Sequence, residues 1–110
     1  MANREVVVLS AMRSAVGGFG GSLKDMEPSD LAAVVIKEAI ARAGVDAAAI
    51  SFASVGHCIP TDSRYAYVSR VATINAGMTM DSVAFQVSRL CGSAQQAIVS
   101  SAQAIMLGDA

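Results

Sequence analysis

Hydrophobic and polar positions along the chain follow two repeats, one typical of β-strands and one typical of α-helices. Residues 5–10 form a continuous run rich in β-branched side chains, which predicts a central strand covered on both faces. From residue 29 to residue 43 the apolar positions recur at helical spacing, with Pro28 as a start signal and Gly44 as a stop signal. The chain is therefore predicted to begin with a buried strand followed by an amphipathic helix.

The same order of elements is repeated twice more. We expect a second strand over residues 52–59 and a second helix over about residues 64–75. A third strand is predicted over residues 83–88, and a last helix begins near Cys91 and runs to Leu107. The sum is βαβαβα, an α/β fold with a mainly parallel sheet and right-handed crossovers.

The third predicted strand differs from the first because its two faces differ. Val83, Phe85 and Val87 share one face. The other face carries Ala84, Gln86 and Ser88. Alternation of this kind is typical of an edge strand, or of a strand with one face near solvent or a partner.

Composition narrows the possible classes of protein. Hydrophobic residues make up 54% of the 110 residues and charged residues 15%, which is the opposite of a disordered chain. The net charge is −1 and no basic stripe occurs, so nucleic-acid binding has little support.

Residues 90–107 lack charges but contain too many Ser and Gln side chains for a membrane helix. Two cysteines and the absence of an apparent targeting segment favour a reducing compartment, and we expect a cytoplasmic protein.

Cys91 is the strongest candidate for chemistry, because it lies where the third strand turns into the last helix. A helix N-terminus offers free backbone N–H groups and the positive end of the helix dipole, both of which favour thiolate over thiol. Gly92 leaves the approach to sulfur open, and nearby N–H groups are expected to hold a developing oxyanion. The alternative is a buried, inert cysteine, which is the common structural role of this residue.

Three separated segments resemble one family, the thiolases. Residues 88–97, with the sequence Ser-Arg-Leu-Cys-Gly-Ser-Ala-Gln-Gln-Ala, are similar to the thiolase signature around the acylated cysteine, although Ser88 stands where Asn is usual. Residues 10–23, which end in Gly-Gly-Ser-Leu, look like the thiolase opening, and residues 55–61 fit the region of the second strand. The chain is thus similar to the N-terminal portion of acetyl-CoA acetyltransferases and bacterial β-ketothiolases.

The resemblance implies an acyl-CoA acetyltransferase that makes or cleaves 3-ketoacyl-CoA through an acyl-enzyme on Cys91. Acyl-CoA and acetyl-CoA would be its substrates, with no permanently bound cofactor, and the full-length protein would be a homodimer or homotetramer. Thiolases are several times longer, so we expect residues 1–110 to be a partial N-terminal domain that is inactive alone. The base His of a Gly-His-Pro motif and the second Cys of a Cys-Gly-Gly motif do not occur here.

Two other readings of the sequence remain open. A small hydrolase could pair Cys91 with His57, the only histidine, and a non-catalytic module could serve as an interaction subunit. No metal site is expected, because His57, Cys58, Asp62 and Cys91 do not fall into a recognised ligand spacing. The glycine-rich loop at residues 17–21 does not match a nucleotide-binding motif, and residues that bind coenzyme A are not identified.

The isolated chain is expected to be poorly stable or to aggregate. Three strands would leave one edge of the strand at residues 5–10 unpaired, and an open edge promotes association.

Overall fold

The computed structural model describes residues 4–110. Within these residues, three α-helices and two β-strands follow one another in the order α1, β1, α2, β2, α3: Pro28–Ala43, Phe52–Gly56, Val68–Asn75, Val83–Val87 and Ser93–Leu107. Two short 3₁₀-helices, Ala47–Ala49 and Ser63–Tyr67, precede β1 and α2.

The two strands form a parallel sheet, as the alternation of strands and helices predicted. Phe52 lies beside Val83 and Gly56 beside Val87, so the carboxyl ends of both strands meet at one edge of the sheet. Parallel strands need a crossover, and α2 provides it. The α/β class and the parallel arrangement are confirmed.

Helices cover both faces of this sheet. The Ser54 hydroxyl donates a hydrogen bond of 2.5 Å to the carbonyl oxygen of Ala97, which places α3 on one face. On the other face the Gln86 side chain accepts a hydrogen bond of 3.2 Å from the amide of Ser69 at the start of α2. The sheet is therefore the middle of three layers, and the β2–α3 turn lies at its carboxyl edge.

The predicted first strand is the main correction to the sequence analysis. Residues 5–10 are not a β-strand in the structure, and within residues 4–110 the ladder joins only β1 and β2. Val8 is 82% exposed rather than covered on both faces. The physical reason is that a β-strand requires a neighbouring strand with which it exchanges backbone hydrogen bonds. The contacts of this segment are side-chain contacts, such as the 2.7 Å hydrogen bond from the Ser10 hydroxyl to the carbonyl oxygen of Ala39.

The boundaries of other elements also shift. β1 ends at Gly56 rather than at residue 59, because its neighbour β2 ends at Val87; beyond that point only the His57 amide continues the ladder, donating to the Val87 carbonyl oxygen at 3.1 Å. The second predicted helix begins as a 3₁₀ turn, capped by the Asp62 side chain, and becomes α-helical at Val68. The last helix begins at Ser93, two residues after Cys91.

The glycine stop signals were predicted correctly. Gly44 and Gly108 follow α1 and α3 with φ angles of 69° and 84°. Left-handed backbone of this kind is adopted by glycine at little steric cost, which is why it ends helices.

Small side chains build the core. The buried apolar residues are Ala33, Val68, Ala72, Ala76, Met78, Ala97 and Ala104. Thr73 is fully buried among them and its hydroxyl donates to the carbonyl oxygen of Arg70 at 3.0 Å. No helix within residues 4–110 has the length and apolar character needed to cross a membrane.

The apolar face of β2 remains partly open, in line with its predicted alternation. Val83 is 56% exposed, and Phe85 packs against Phe52 with ring centroids 5.6 Å apart. β2 is thus a strand with one side near solvent in the part of the chain that the structure describes.

Candidate active site

Cys91 lies in the turn between β2 and α3, where the sequence placed it. Gly92 occupies the position before the helix, and the first helical residue is Ser93. The thiol is free and exposed, whereas the alternative considered from the sequence was a buried cysteine. Because the thiol is exposed at a strand-to-helix turn, a substrate can approach it from outside the sheet and be attacked by its sulfur.

The backbone immediately before Cys91 is in a rare conformation. Leu90 has a φ angle of +49°, and no other non-glycine residue in the described part of the chain has a positive φ. This left-handed region is uncommon for bulky side chains and persists only where neighbouring contacts hold it. Sequence analysis did not find this feature, since nothing about a leucine indicates it.

Backbone hydrogen bonds tighten this turn. The amide of Gly92 donates to the carbonyl oxygen of Arg89 at 3.0 Å, and the amide of Ser93 donates to the carbonyl oxygen of Leu90 at 3.1 Å. These two N–H groups are thus engaged within the turn itself. Among residues 4–110 no acceptor takes the amide of Cys91, so that N–H remains available.

A side chain binds the same turn. The Ser93 hydroxyl is buried, donates to the carbonyl oxygen of Leu90 at 2.6 Å and accepts from the amide of Arg89 at 2.9 Å. The sequence signalled a helix start here, but it did not indicate that a hydroxyl inside the helix would bond backward to the turn.

The end of β1 sets how closely α3 can approach. A Cβ added at Gly56 would lie 2.6 Å from the amide nitrogen of Ala94 and 2.6 Å from the carbonyl carbon of Ser93. Both are backbone atoms, so only glycine permits this contact. An isolated glycine at a strand end is the sequence signal for such a close approach of two backbones, and it was not used in the sequence analysis.

Arg89 adds a positive charge to this end of α3. Its guanidinium donates to the Oε1 atom of Gln96 at 2.9 Å, and the Nε2 atom of Gln96 donates to the Ser100 hydroxyl at 3.1 Å. The arginine side chain is therefore laid along the helix surface rather than over the sulfur of Cys91.

His57 does not join Cys91 in a catalytic pair. It follows Gly56, whose face of the sheet contacts α3, so the alternation of side chains places His57 on the opposite face. There its ring lies 6.5 Å from the ring of Tyr65 in an edge-on arrangement, and its Nε2 atom is buried without a hydrogen-bond partner. The geometry thus gives no support to the small Cys–His hydrolase.

Charged and polar groups near His57 bind the loop after β1 to α1. The Tyr65 hydroxyl donates to Glu27 at 2.7 Å, and this hydrogen bond raises the pKa of Tyr65 above its ordinary value. Hydrogen bonds from Arg64 to Asp62, including one of 3.0 Å from Nε, lower the pKa of the Asp62 carboxyl. Residues 4–110 contain no group of three His, Cys, Asp or Glu side chains arranged to hold a metal ion.

Comparison with known proteins identifies relatives over almost the whole chain. The family described as "Thiolase, N-terminal domain" matches residues 6–110. A beta-ketothiolase, BktB, of Cupriavidus necator is 52% identical over 106 residues, which cover 96% of this chain and 27% of that protein. An acetyl-CoA acetyltransferase of Syntrophomonas wolfei is 42% identical over 107 residues, again 27% of its length.

Solved structures show the same similarity in three dimensions. The acetyl-CoA acetyltransferase of Bacillus anthracis superposes with a TM-score of 0.89 at 38% identity, over 94% of this chain and 26% of that one. Human mitochondrial 3-ketoacyl-CoA thiolase in complex with CoA gives a TM-score of 0.90 at 30% identity, with the same coverage. The chain spans about a quarter of the length of these relatives.

Proposed function

Because the chain belongs to the thiolase family, we propose that it is the acyl-accepting part of an acyl-CoA acetyltransferase (β-ketothiolase), with Cys91 as nucleophile. One observation carries the proposal: the free, exposed thiol of Cys91 lies on a tightly bonded turn at the N-terminal end of α3. Residues 1–110 are, on this proposal, a partial thiolase N-terminal domain.

The proposed reaction has two steps that share one covalent intermediate. The Cys91 thiolate attacks the carbonyl carbon of an acyl-CoA thioester; a new sulfur–carbon bond forms and the bond to coenzyme A breaks. Coenzyme A leaves as a thiolate, which takes up the proton that the Cys91 thiol gave up on ionising. A second acetyl-CoA, deprotonated at its α-carbon, then attacks the acyl group. A carbon–carbon bond forms, 3-ketoacyl-CoA is released and the thiolate of Cys91 is restored. The reverse sequence is thiolysis, and a covalent intermediate predicts ping-pong kinetics.

The residues of this chain contribute to the first step. The unengaged amide of Cys91 is suited to donate to the thioester oxygen as negative charge develops there. The engaged amides of Gly92 and Ser93 instead hold the turn that presents the sulfur.

The second step needs groups that residues 4–110 do not bring to Cys91. Removing a proton from the α-carbon requires a base, and His57 is directed to Tyr65 on the other face of the sheet. We therefore propose that catalysis is complete only in a longer protein, in keeping with relatives four times this length. Acyl-CoA and acetyl-CoA are its proposed substrates, without a permanently bound cofactor.

Assembly and location are parts of the same proposal. Among residues 4–110 β2 pairs only with β1, so its other edge is open, and an open strand edge promotes association. This edge favours a homodimer or homotetramer of the full-length protein. Two free cysteines favour a reducing compartment, and we propose the cytoplasm.

Trapping of the acyl group tests the proposal. The full-length protein is incubated with acetyl-CoA, quenched in acid and digested, and the cysteine peptides are compared by mass spectrometry. The expected result is an acetyl group on the peptide with Cys91, lost in Cys91→Ser and retained in Cys58→Ser. The proposal would be refuted by an acetyl group on Cys58, or by an active protein in which Cys91 is unmodified.

A further inference from the structure

The turn before Cys91 requires something to hold it. Leu90 has a φ of +49°, and in this region a leucine gains nothing from its own side chain, which is 69% exposed. A backbone conformation of this kind is maintained by surrounding contacts rather than by local preference.

The Ser93 hydroxyl is the side-chain contact that does so. It accepts from the amide of Arg89, before Leu90, and donates to the carbonyl oxygen of Leu90, after its Cα. One oxygen atom therefore holds both sides of the left-handed residue. Ser93 is only 5% exposed, so water does not readily replace either bond.

These bonds are not those of an ordinary serine at a helix start. A serine there usually caps the helix by accepting from an amide in its first turn. In α3 no side chain caps the N-terminus, and both bonds of the Ser93 hydroxyl lead back to the strand-to-helix turn. The hydroxyl serves the geometry of the turn rather than the stability of the helix end.

We propose that Ser93 is a positioning residue for Cys91: by clamping Leu90 in its left-handed conformation, it fixes the direction in which the Cys91 sulfur leaves the backbone. This inference rests on the proposed function, in which that sulfur attacks a thioester. Its two hydrogen bonds go to the backbone of Arg89 and Leu90, so in this role it acts through its neighbours rather than on the substrate.

Loss of the hydroxyl should lower the rate of the chemical step more than it weakens the binding of the substrate. In Ser93→Ala the amide of Arg89 and the carbonyl of Leu90 lose their partner, the turn relaxes and the sulfur moves from its attack position. Displacement of a reacting group by about 1 Å costs roughly 100-fold in rate, so we expect kcat to fall about 10- to 100-fold. The KM for acyl-CoA should stay within about twofold of the wild-type value, because the substitution removes no contact that binds the ground state and the transition state equally.

A matched control lies on the same helix. The Ser101 hydroxyl hydrogen-bonds the Ser54 hydroxyl at 2.5 Å, two turns further along α3 and away from Cys91. Ser93→Ala, Ser101→Ala and the conservative Ser93→Thr are made in the full-length protein. For each, kcat, KM, the melting temperature and the rate of Cys91 alkylation by iodoacetamide across a pH series are measured.

The proposal expects a low kcat and slow alkylation in Ser93→Ala, a normal kcat and normal alkylation in Ser101→Ala, and recovery of most of the rate in Ser93→Thr. It is overturned if Ser93→Ala alkylates and turns over at the wild-type rate. It is also overturned if Ser101→Ala, at a similar melting temperature, loses as much activity. Alkylation needs no acyl-CoA chemistry, so it reports on Ser93 even if the wild-type protein forms no acyl-enzyme and the proposed function fails.

Discussion

Replacement of Gly56 by alanine is the most direct test of how the sheet positions Cys91. The added Cβ would lie 2.6 Å from two backbone atoms of α3 and 2.8 Å from the carbonyl oxygen of Ser93. Ordinary van der Waals contact begins near 3.4 Å, and no flexible side chain is available to move aside. The N-terminal turn of α3 must therefore retreat from β1 by about 0.8 Å, a displacement that closely packed interiors resist.

The expected magnitude follows from two opposing terms. Overpacking of this kind costs about 1–3 kcal/mol of unfolding free energy, whereas alanine regains about 0.5–1 kcal/mol because it loses less backbone entropy than glycine. The first term is larger over most of its range, so Gly56→Ala should destabilise the protein by up to about 2.5 kcal/mol, with a central value of about 1 kcal/mol. Because the retreating turn carries Cys91, the acylation rate should also fall, by roughly 10- to 100-fold for a shift approaching 1 Å.

Urea unfolding and Cys91 alkylation of the full-length protein check both effects. Gly18→Ala is the matched control, because a Cβ there meets nothing within 4 Å and its φ is not positive. We expect the control to match the wild type. Unchanged stability together with unchanged alkylation in Gly56→Ala would refute the close contact between β1 and α3 as the determinant of the position of Cys91.

Three further predictions concern contacts around the sheet. Ser54→Ala should cost about 1 kcal/mol of unfolding free energy, because it removes a hydrogen bond to a carbonyl of α3; denaturant titration that shows no loss would contradict this. Gln86→Ala should cost about 1–3 kcal/mol in the same assay, since it leaves an amide of α2 and a carbonyl of the preceding 3₁₀ turn without their partner, and an isostable variant would count against the contact. The hydrogen bond from the Arg64 side chain lowers the folded-state pKa of Asp62 below 3.8, so its stabilising effect is present above that pH and is lost as the pH falls through the lower value. Asp62→Asn should therefore weaken the acid dependence of the unfolding free energy, and an identical pH profile would exclude this role.

Local signals in the sequence predicted the elements that depend on local chemistry. Helix ends at Gly44 and Gly108 were found because glycine alone adopts a positive φ at little cost. The parallel pairing of β1 and β2 followed from the helix between them, and the position of Cys91 followed from the order of elements.

Features that depend on distant contacts were not predictable in this way. The apolar run at residues 5–10 has the composition of a strand, yet a strand exists only where another strand offers it a ladder. Residue types alone do not predict the left-handed Leu90 or the hydrogen bonds of Ser93, since both depend on the backbone path that β2 and α3 impose on the turn. His57 was a candidate partner of Cys91 by type alone, and strand alternation placed it on the other face.

On the proposed function, the turn that presents the Cys91 nucleophile and the acid–base groups of the second step come from different parts of the protein. Within residues 4–110 the turn that carries Cys91 is bounded by the close contact at Gly56, the left-handed Leu90 and the hydrogen bonds of the Ser93 hydroxyl. Acid–base groups for the second step are not brought to the sulfur by residues 4–110. Attack on a thioester requires a nucleophile and an N–H donor, and the turn presents the sulfur of Cys91 together with its unengaged amide. Carbon–carbon bond formation requires a base as well. We therefore expect substitutions in this domain to slow acylation of Cys91 first, and condensation only through the smaller supply of acyl-enzyme.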